Sequence, residues 1–227
     1  MHSGWGALVA VASDGGRVSV IARERIDVID ETAGGKRQPY HFAKTMTLSA
    51  AEKYISRSAE EAEKLACDAI RAVSEDLLSR DYRVMRCVVL AASGRELPDL
   101  ARILAAHPLI HTAEGEFFRG AISKACGILK IATSRVRERD LETQAKSVFG
   151  RSAAAAVKQI AKMGKSIGPP WTADQKAAAL AAWIVLHDKK ARAADAKARM
   201  MERRAANENL MKIKIGDLGG QRGQIEV

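Results

Sequence analysis

The chain of 227 residues has few aromatic side chains, three cysteines and no long apolar run. Cys67, Cys87 and Cys126 are too few, and odd in number, for a disulfide framework, and their spacing does not suit a zinc knuckle. No apolar run reaches the roughly 18–20 residues that cross a bilayer, and the N-terminus lacks the features of a signal peptide. These absences predict a cytoplasmic protein that has no membrane partner.

Positive charge is in excess. The net charge is +10, and residues 189–227 contribute half of it with ten basic and five acidic side chains. Because Ala, Lys, Arg and Met favour helices, we predict a core domain over 1–188 followed by a long basic C-terminal helix and a flexible tail. The helix either keeps the protein soluble or tracks the phosphates of nucleic acid. The second account assigns nucleic-acid binding to Lys189, Lys190, Arg192, Lys197, Arg199, Arg203 and Arg204.

The first half of the chain is predicted to form a hairpin, a long helix and a strand. Two β-rich segments flank Asp14-Gly15-Gly16, which predicts an antiparallel hairpin. Residues 49–79 have apolar side chains at helical spacing and no Gly or Pro, so they predict one amphipathic helix capped by Ser49. The nearly all-apolar run 84–92 predicts a buried strand that pairs parallel to the hairpin.

The second half alternates helices with one more strand. Pro108 is expected to end a short helix over 97–106, and Thr112 to begin the next one over 112–129. Thr172 and Gln175 fit a capping box at the start of a later helix. The element order predicts an α/β fold with a mixed sheet and helices on both faces. The remaining predictions are a strand over 131–136 and helices over 138–149, 152–163 and from 173 onward.

This element order resembles the ribonuclease H-like superfamily and, within it, the Holliday-junction resolvases of the RuvC type. The N-terminal Ser3-Gly4-Trp5-Gly6 is similar to the second strand of those proteins, and the segment Asp174–Leu186 is similar to their final helix. Four motifs also resemble a set of uncharacterised bacterial proteins. They are Ser3-Gly4-Trp5, the Arg37–His41 segment Arg-Gln-Pro-Tyr-His, the His111–Arg119 segment, and Gly168-Pro169-Pro170-Trp171 through Trp183.

The resemblance implies a nuclease that holds Mg²⁺ with carboxylates and directs water at a phosphodiester. Such proteins carry one of these acids on the first strand, whereas this chain begins at what resembles the second strand. The place for that acid therefore lies upstream of Met1 or has no equivalent. The segment 84–92 has no acidic residue, and the nearest is Glu96. The active site that the resemblance implies is thus incomplete.

Three polar residues that lie close together in sequence, His111, Glu114 and Glu116, are candidates for holding a metal ion or a proton. The alternative is helix-start chemistry, in which Thr112 caps the helix and the two acids favour its dipole.

Two further residues are weighed in the same way. Asp174 matches the acid of the final helix in position, and a capping role explains it equally well. His41 follows Pro39-Tyr40 in a segment expected to be a loop, where it either binds a ligand or is anchored by a hydrogen bond.

The first functional hypothesis is a nucleic-acid-binding protein with a metal-dependent nuclease activity. Its metal ligands would be Glu114, Glu116 and Asp174, and His111 or His41 would assist catalysis. The second hypothesis is a non-catalytic assembly or adaptor protein that uses the fold as a scaffold and the basic helix as a contact element. In that case an open sheet edge would be completed by another chain, for example in a homodimer.

Overall fold

The computed structural model describes residues 2–14, 16–30, 37–92 and 96–188, and the predicted basic helix lies outside them. The described residues form a mixed α/β fold with an antiparallel hairpin, a parallel strand pair and helices, as predicted. The strands are β1 (Trp5–Asp14), β2 (Arg17–Asp27), β3 (Arg86–Ala91) and β4 (Ala132–Arg137). The helices are α1 (Pro39–Ala43), α2 (Leu48–Ser79), α3 (Leu100–Ala105), α4 (His107–Ile128), α5 (Leu141–Phe149), α6 (Ala153–Ile167) and α7 (Ala173–His187).

The hairpin contains a β-bulge at Ile21. Ala10 pairs with Ala22 and Val11 pairs with Val20, so Ile21 has no partner across the ladder. An extra residue reverses the alternation of side chains along the strand. Val18 and Ile26 consequently belong to different cores, although they are an even number of residues apart.

The strand over 84–92 forms at Arg86–Ala91, but its predicted pairing with the hairpin is wrong. It pairs in parallel with β4, and α3 and α4 form the crossover between the two strands. Within the described residues no ladder joins the hairpin to this parallel pair. A parallel partner requires such a crossover, and the apolar run indicates burial without specifying which strand lies beside it.

Both strand pairs lie between two layers of helices. Val9 and Val88 pack on a core formed mainly by α5, α6 and α7. Leu8 and Val89 pack on a second core, which contains side chains of α2 and α4. Since successive strand residues point to opposite faces, this division places helices on both faces of the strands.

Two predicted helix starts have a clear outcome. Thr47, rather than Ser49, caps α2, and its side chain accepts the N–H of Ala50. At α7 the capping box is confirmed, because Thr172 N–H donates to Gln175 Oε1 and Gln175 N–H donates to Thr172 Oγ1. Among the described helices, none is both long enough and apolar enough to cross a bilayer.

Candidate metal centre

Helix α4 begins at His107, five residues before the predicted start at Thr112, which is therefore wrong. Pro108 lies in its first turn, where a missing N–H costs nothing and the fixed φ of proline suits a helix. The hydroxyl of Thr112 donates to the carbonyl oxygen of Pro108 instead of capping the helix. The earlier start places His107 and His111 four residues apart on one face of α4.

A third histidine, His41, reaches this face from α1. The prediction of a loop around His41 is wrong, because Pro39 occupies the first turn of this short helix, where its fixed φ suits the helix. The ring centroid of His41 lies 5.4 Å from that of His107 and 4.9 Å from that of His111. The rings of His107 and His111 are 4.4 Å apart. One ring nitrogen from each histidine lies within 4.8 Å of the other two, so the three rings are close enough that they could hold a metal ion.

Glu114 fastens α1 to α4. Its Oε1 accepts the backbone N–H of Tyr40 at 3.0 Å and that of His41 at 3.1 Å. These are first-turn donors of α1, which have no partner inside the helix, and Gln38 at the cap position makes no side-chain bond to them. A negative charge is also favoured at a helix N-terminus. Glu114 therefore acts as the N-terminal cap of α1, although it belongs to α4.

The same oxygen orients the imidazole of His41. Oε1 of Glu114 lies 3.3 Å from Nδ1 of His41, which donates to it when it carries the proton. This bond leaves Nε2 of His41 as the nitrogen that can bind a metal. A carboxylate behind a histidine ligand is the usual outer partner at metal sites, where it fixes the ring and raises its basicity.

Burial sets the proton affinity of Glu114. The residue is 6% exposed, and burial raises the pKa of its carboxyl group, while the hydrogen bonds from His41 and Tyr40 oppose that rise. Its Oε2 is buried and has no hydrogen-bond partner among the described residues. Because that oxygen is buried from solvent, it is a place where the carboxyl group can hold a proton.

Proximity of the three rings disfavours protonation of His107. The pKa of His107 is lowered, first by the charge of His111 and then by burial, by His41 and by Lys44. Neutral imidazole is the form that binds a metal ion, so the cluster favours the binding form. His107 and His111 are both exposed, which leaves their rings free to turn toward an ion.

The donor set fits a transition metal better than Mg²⁺. Imidazole suits Zn²⁺, Cu²⁺, Fe²⁺ and Ni²⁺, whereas Mg²⁺ takes oxygen ligands. A tetrahedral zinc site with Zn–N bonds of about 2.0–2.1 Å places its nitrogens about 3.4 Å apart. The ligand atoms of the three histidines lie within 4.8 Å of one another, so rotation of the exposed rings of His107 and His111 would be needed to reach that spacing.

The other predicted site residues have separate partners. Glu116 forms ion pairs with Arg135 at 2.5 Å and with Arg119 at 3.7 Å. Asp174 pairs with His2 at 2.8 Å. In the part of the chain that the structure describes, the three histidines are the group with metal-ligand spacing, and the carboxylates of Glu114, Glu116 and Asp174 do not form one.

The structure therefore brings together three of the sequence candidates, His41, His111 and Glu114, and adds His107. The spacing of His107 and His111 was the available signal, because two histidines four residues apart share a face of any helix that contains both. The proposed phosphate-binding residues, from Lys189 to Arg204, lie outside the described residues. Comparison with protein-family models, curated proteins and solved structures finds no match to this chain.

Proposed function

We propose that the protein binds a Zn²⁺-class ion through His41, His107 and His111 and is a metal-dependent nuclease with a ribonuclease H-like fold. The observation that carries the proposal is the convergence of three imidazoles beside the buried carboxylate of Glu114. A coordination set of Glu114, Glu116 and Asp174 around Mg²⁺ stays a separate prediction.

Three protein ligands are typical of catalytic zinc sites, which leave a position for water or substrate and act as Lewis acids. This chain offers three histidines as ligands and a carboxylate that orients one of them. His107 and His111 are presented by one rigid helix, and His41 is held by its bond to Glu114. The buried carboxylate of Glu114 lies behind His41, where it holds the ring and can keep the proton on Nδ1.

Nucleic acid is the proposed substrate because of charge and architecture. A net charge of +10 favours a polyanion. The order of hairpin, long helix, parallel strands and helices is the order on which the ribonuclease H-like resemblance rests, although within the described residues the hairpin is not joined to the parallel strands in one sheet. An imidazole-based metal centre departs from the carboxylate centres that this resemblance implies, so the chemistry is proposed from the histidines and the fold from the element order.

The first experiment measures metal content and cleavage in the same preparations. Protein stripped by a chelator is loaded with Zn²⁺, Mn²⁺ or Mg²⁺, and bound metal is quantified by mass spectrometry. Labelled single-stranded, duplex and four-way-junction DNA and RNA are then incubated with each form at two salt concentrations. We expect tight Zn²⁺ binding and metal-dependent cutting.

The double variant His107→Ala/His111→Ala should lose both properties, while His2→Ala, which removes an exposed histidine paired elsewhere, should keep both. Equal metal retention by the double variant and the wild type would refute the assigned ligands. Zn²⁺ binding without cleavage of any substrate would refute the nuclease assignment and retain the metal site.

The second candidate function is an assembly protein, and one observation favours it. The hairpin and the parallel pair contact the same two cores, yet within the described residues no ladder joins them. Val9 and Val88 are only partly buried although they are apolar. A strand from a second copy would pair with these open edges.

Light scattering across a range of protein concentrations tests this alternative, together with hydrogen exchange at the amides of β1 and β3. A dimer whose β1 and β3 amides become protected would support assembly through the sheet. A monomer at all concentrations would exclude the second copy as the added strand.

A further inference from the structure

Beside the metal ligand His41 lies an exposed aromatic ring. Phe42 is 47% exposed, which is unusual for a large apolar side chain next to a polar cluster. Its ring contacts Tyr54 of α2 at a centroid distance of 5.0 Å and a tilt of 38°. The contact supports Phe42 from one side and leaves the rest of the ring to solvent.

Lys44, at the end of α1, adds a positive charge near His41 and Phe42. Lys44 follows His41 by three residues in helical conformation, so both side chains lie on one face of the turn. Lys44 is exposed, and no described carboxylate forms an ion pair with it. Its charge acts on the histidine cluster, since it contributes to the lowered pKa of His107.

The side chains of His41, Phe42 and Lys44 match the parts of one nucleotide unit. An aromatic ring stacks on a base of any sequence, and an ammonium group pairs with a phosphate. Phe42 and Lys44 are two residues apart on this turn and lie on opposite sides of His41, so a phosphodiester bound at the histidines would carry its base toward Phe42 and an adjacent phosphate toward Lys44. Bases of a single strand are free to stack in this way, whereas those of a duplex are already stacked.

We infer that α1 is a binding platform for single-stranded nucleic acid, on which Phe42 stacks one base and Lys44 contacts an adjacent phosphate beside the three-histidine site. This inference rests on the proposed function and names its substrate class. Among the described residues Tyr82 is a second exposed aromatic ring, but Arg80 already lies over it, at 5.8 Å from the ring centroid.

The test is fluorescence anisotropy with a labelled ten-nucleotide oligothymidine and with the same strand made abasic. Phe42→Ala should weaken binding of the oligothymidine about fivefold or more and leave the abasic strand unchanged. Phe42→Trp should restore binding, and Tyr82→Ala is the matched aromatic control. Lys44→Gln should weaken both strands and lower the salt slope by about one, whereas Lys158→Gln, on α6, should not.

The result that would overturn the inference is equal binding by Phe42→Ala, Tyr82→Ala and the wild type, or an equal loss for both strands. Measurements on metal-free and Zn²⁺-loaded protein separate this inference from the proposed function. A Phe42 effect in protein that binds no Zn²⁺ would support the platform and refute the metal site. Normal Zn²⁺ binding with no effect of Phe42→Ala would support the metal site and refute the platform. Circular dichroism and Tm of each variant confirm that the fold is unchanged.

Discussion

Glu114 and His41 are joined through both the backbone and the side chain of the histidine. One carboxylate oxygen of Glu114 accepts the N–H of His41 at 3.1 Å and lies 3.3 Å from its Nδ1. The two residues are 73 positions apart in sequence. The carboxylate that holds α1 against α4 therefore also orients a histidine that we propose as a metal ligand, so the stability of the helix contact and the affinity for metal should change together.

Replacing Glu114 tests this coupling. Glu114→Ala removes the acceptor for two partly buried N–H donors, and we expect a loss of about 1–3 kcal/mol in the free energy of unfolding. Loss of the partner of His41 should weaken Zn²⁺ binding about 10- to 100-fold. Glu114→Gln keeps an acceptor and should cost less in both measurements. Urea denaturation and calorimetric titration give the two values, and normal Zn²⁺ affinity in Glu114→Ala would argue against the orienting role.

Much of the fold is predictable from local patterns. The antiparallel hairpin, the long helix α2 and the Thr172–Gln175 capping box are each indicated by neighbouring residues in the sequence, and each is present in the structure. Strand pairing is different, because the apolar strand β3 carries no signal that selects β4 over the hairpin. That choice depends on the crossover through α3 and α4.

The sequence identifies some residues of the candidate site but not how they come together. His41, His111 and Glu114 are recognisable as polar residues near helix boundaries, but their meeting depends on the contact between α1 and α4. The role of His107 was hidden by Pro108, which can end one helix or occupy the first turn of the next. The carboxylate of Glu114 is buried as a substitute cap, a function that no nearby residue in the sequence indicates.

Crowding of the histidines predicts a pH effect on stability. The pKa of His107 is lowered, chiefly by the charge of His111, so the folded state disfavours its proton. A base with a depressed folded pKa stabilises the protein above its ordinary value of about 6.5 and loses that contribution as pH falls. His107→Gln removes the titrating group. We expect its Tm, relative to the wild type, to be higher at pH 5 than at pH 8, and the opposite order would contradict the crowding.

Arg23 stabilises the loop before α7. Its guanidinium donates to the carbonyl oxygens of Ile167 at 2.9 Å and Gly168 at 2.8 Å, and also to those of Pro169 and Pro170. Hydrogen bonds from a charged donor are worth about 1.5–3 kcal/mol. Arg23→Ala should lower the free energy of unfolding by about that amount in urea. Arg23→Lys should recover little of it, because one ammonium group cannot match the planar fork.

Metal binding should raise thermal stability, because the ligands come from α1 and α4 and meet only in the folded chain. An ion at 100 times its dissociation constant stabilises the folded state by about 2.7 kcal/mol. Differential scanning fluorimetry should therefore show a rise in Tm with Zn²⁺ that a chelator reverses. The rise should be absent in His111→Ala and intact in His2→Ala, whose missing ring pairs with Asp174 in the native chain. Equal shifts in both variants would show that Zn²⁺ stabilises the protein at some other place, and the three-histidine site would then be discarded.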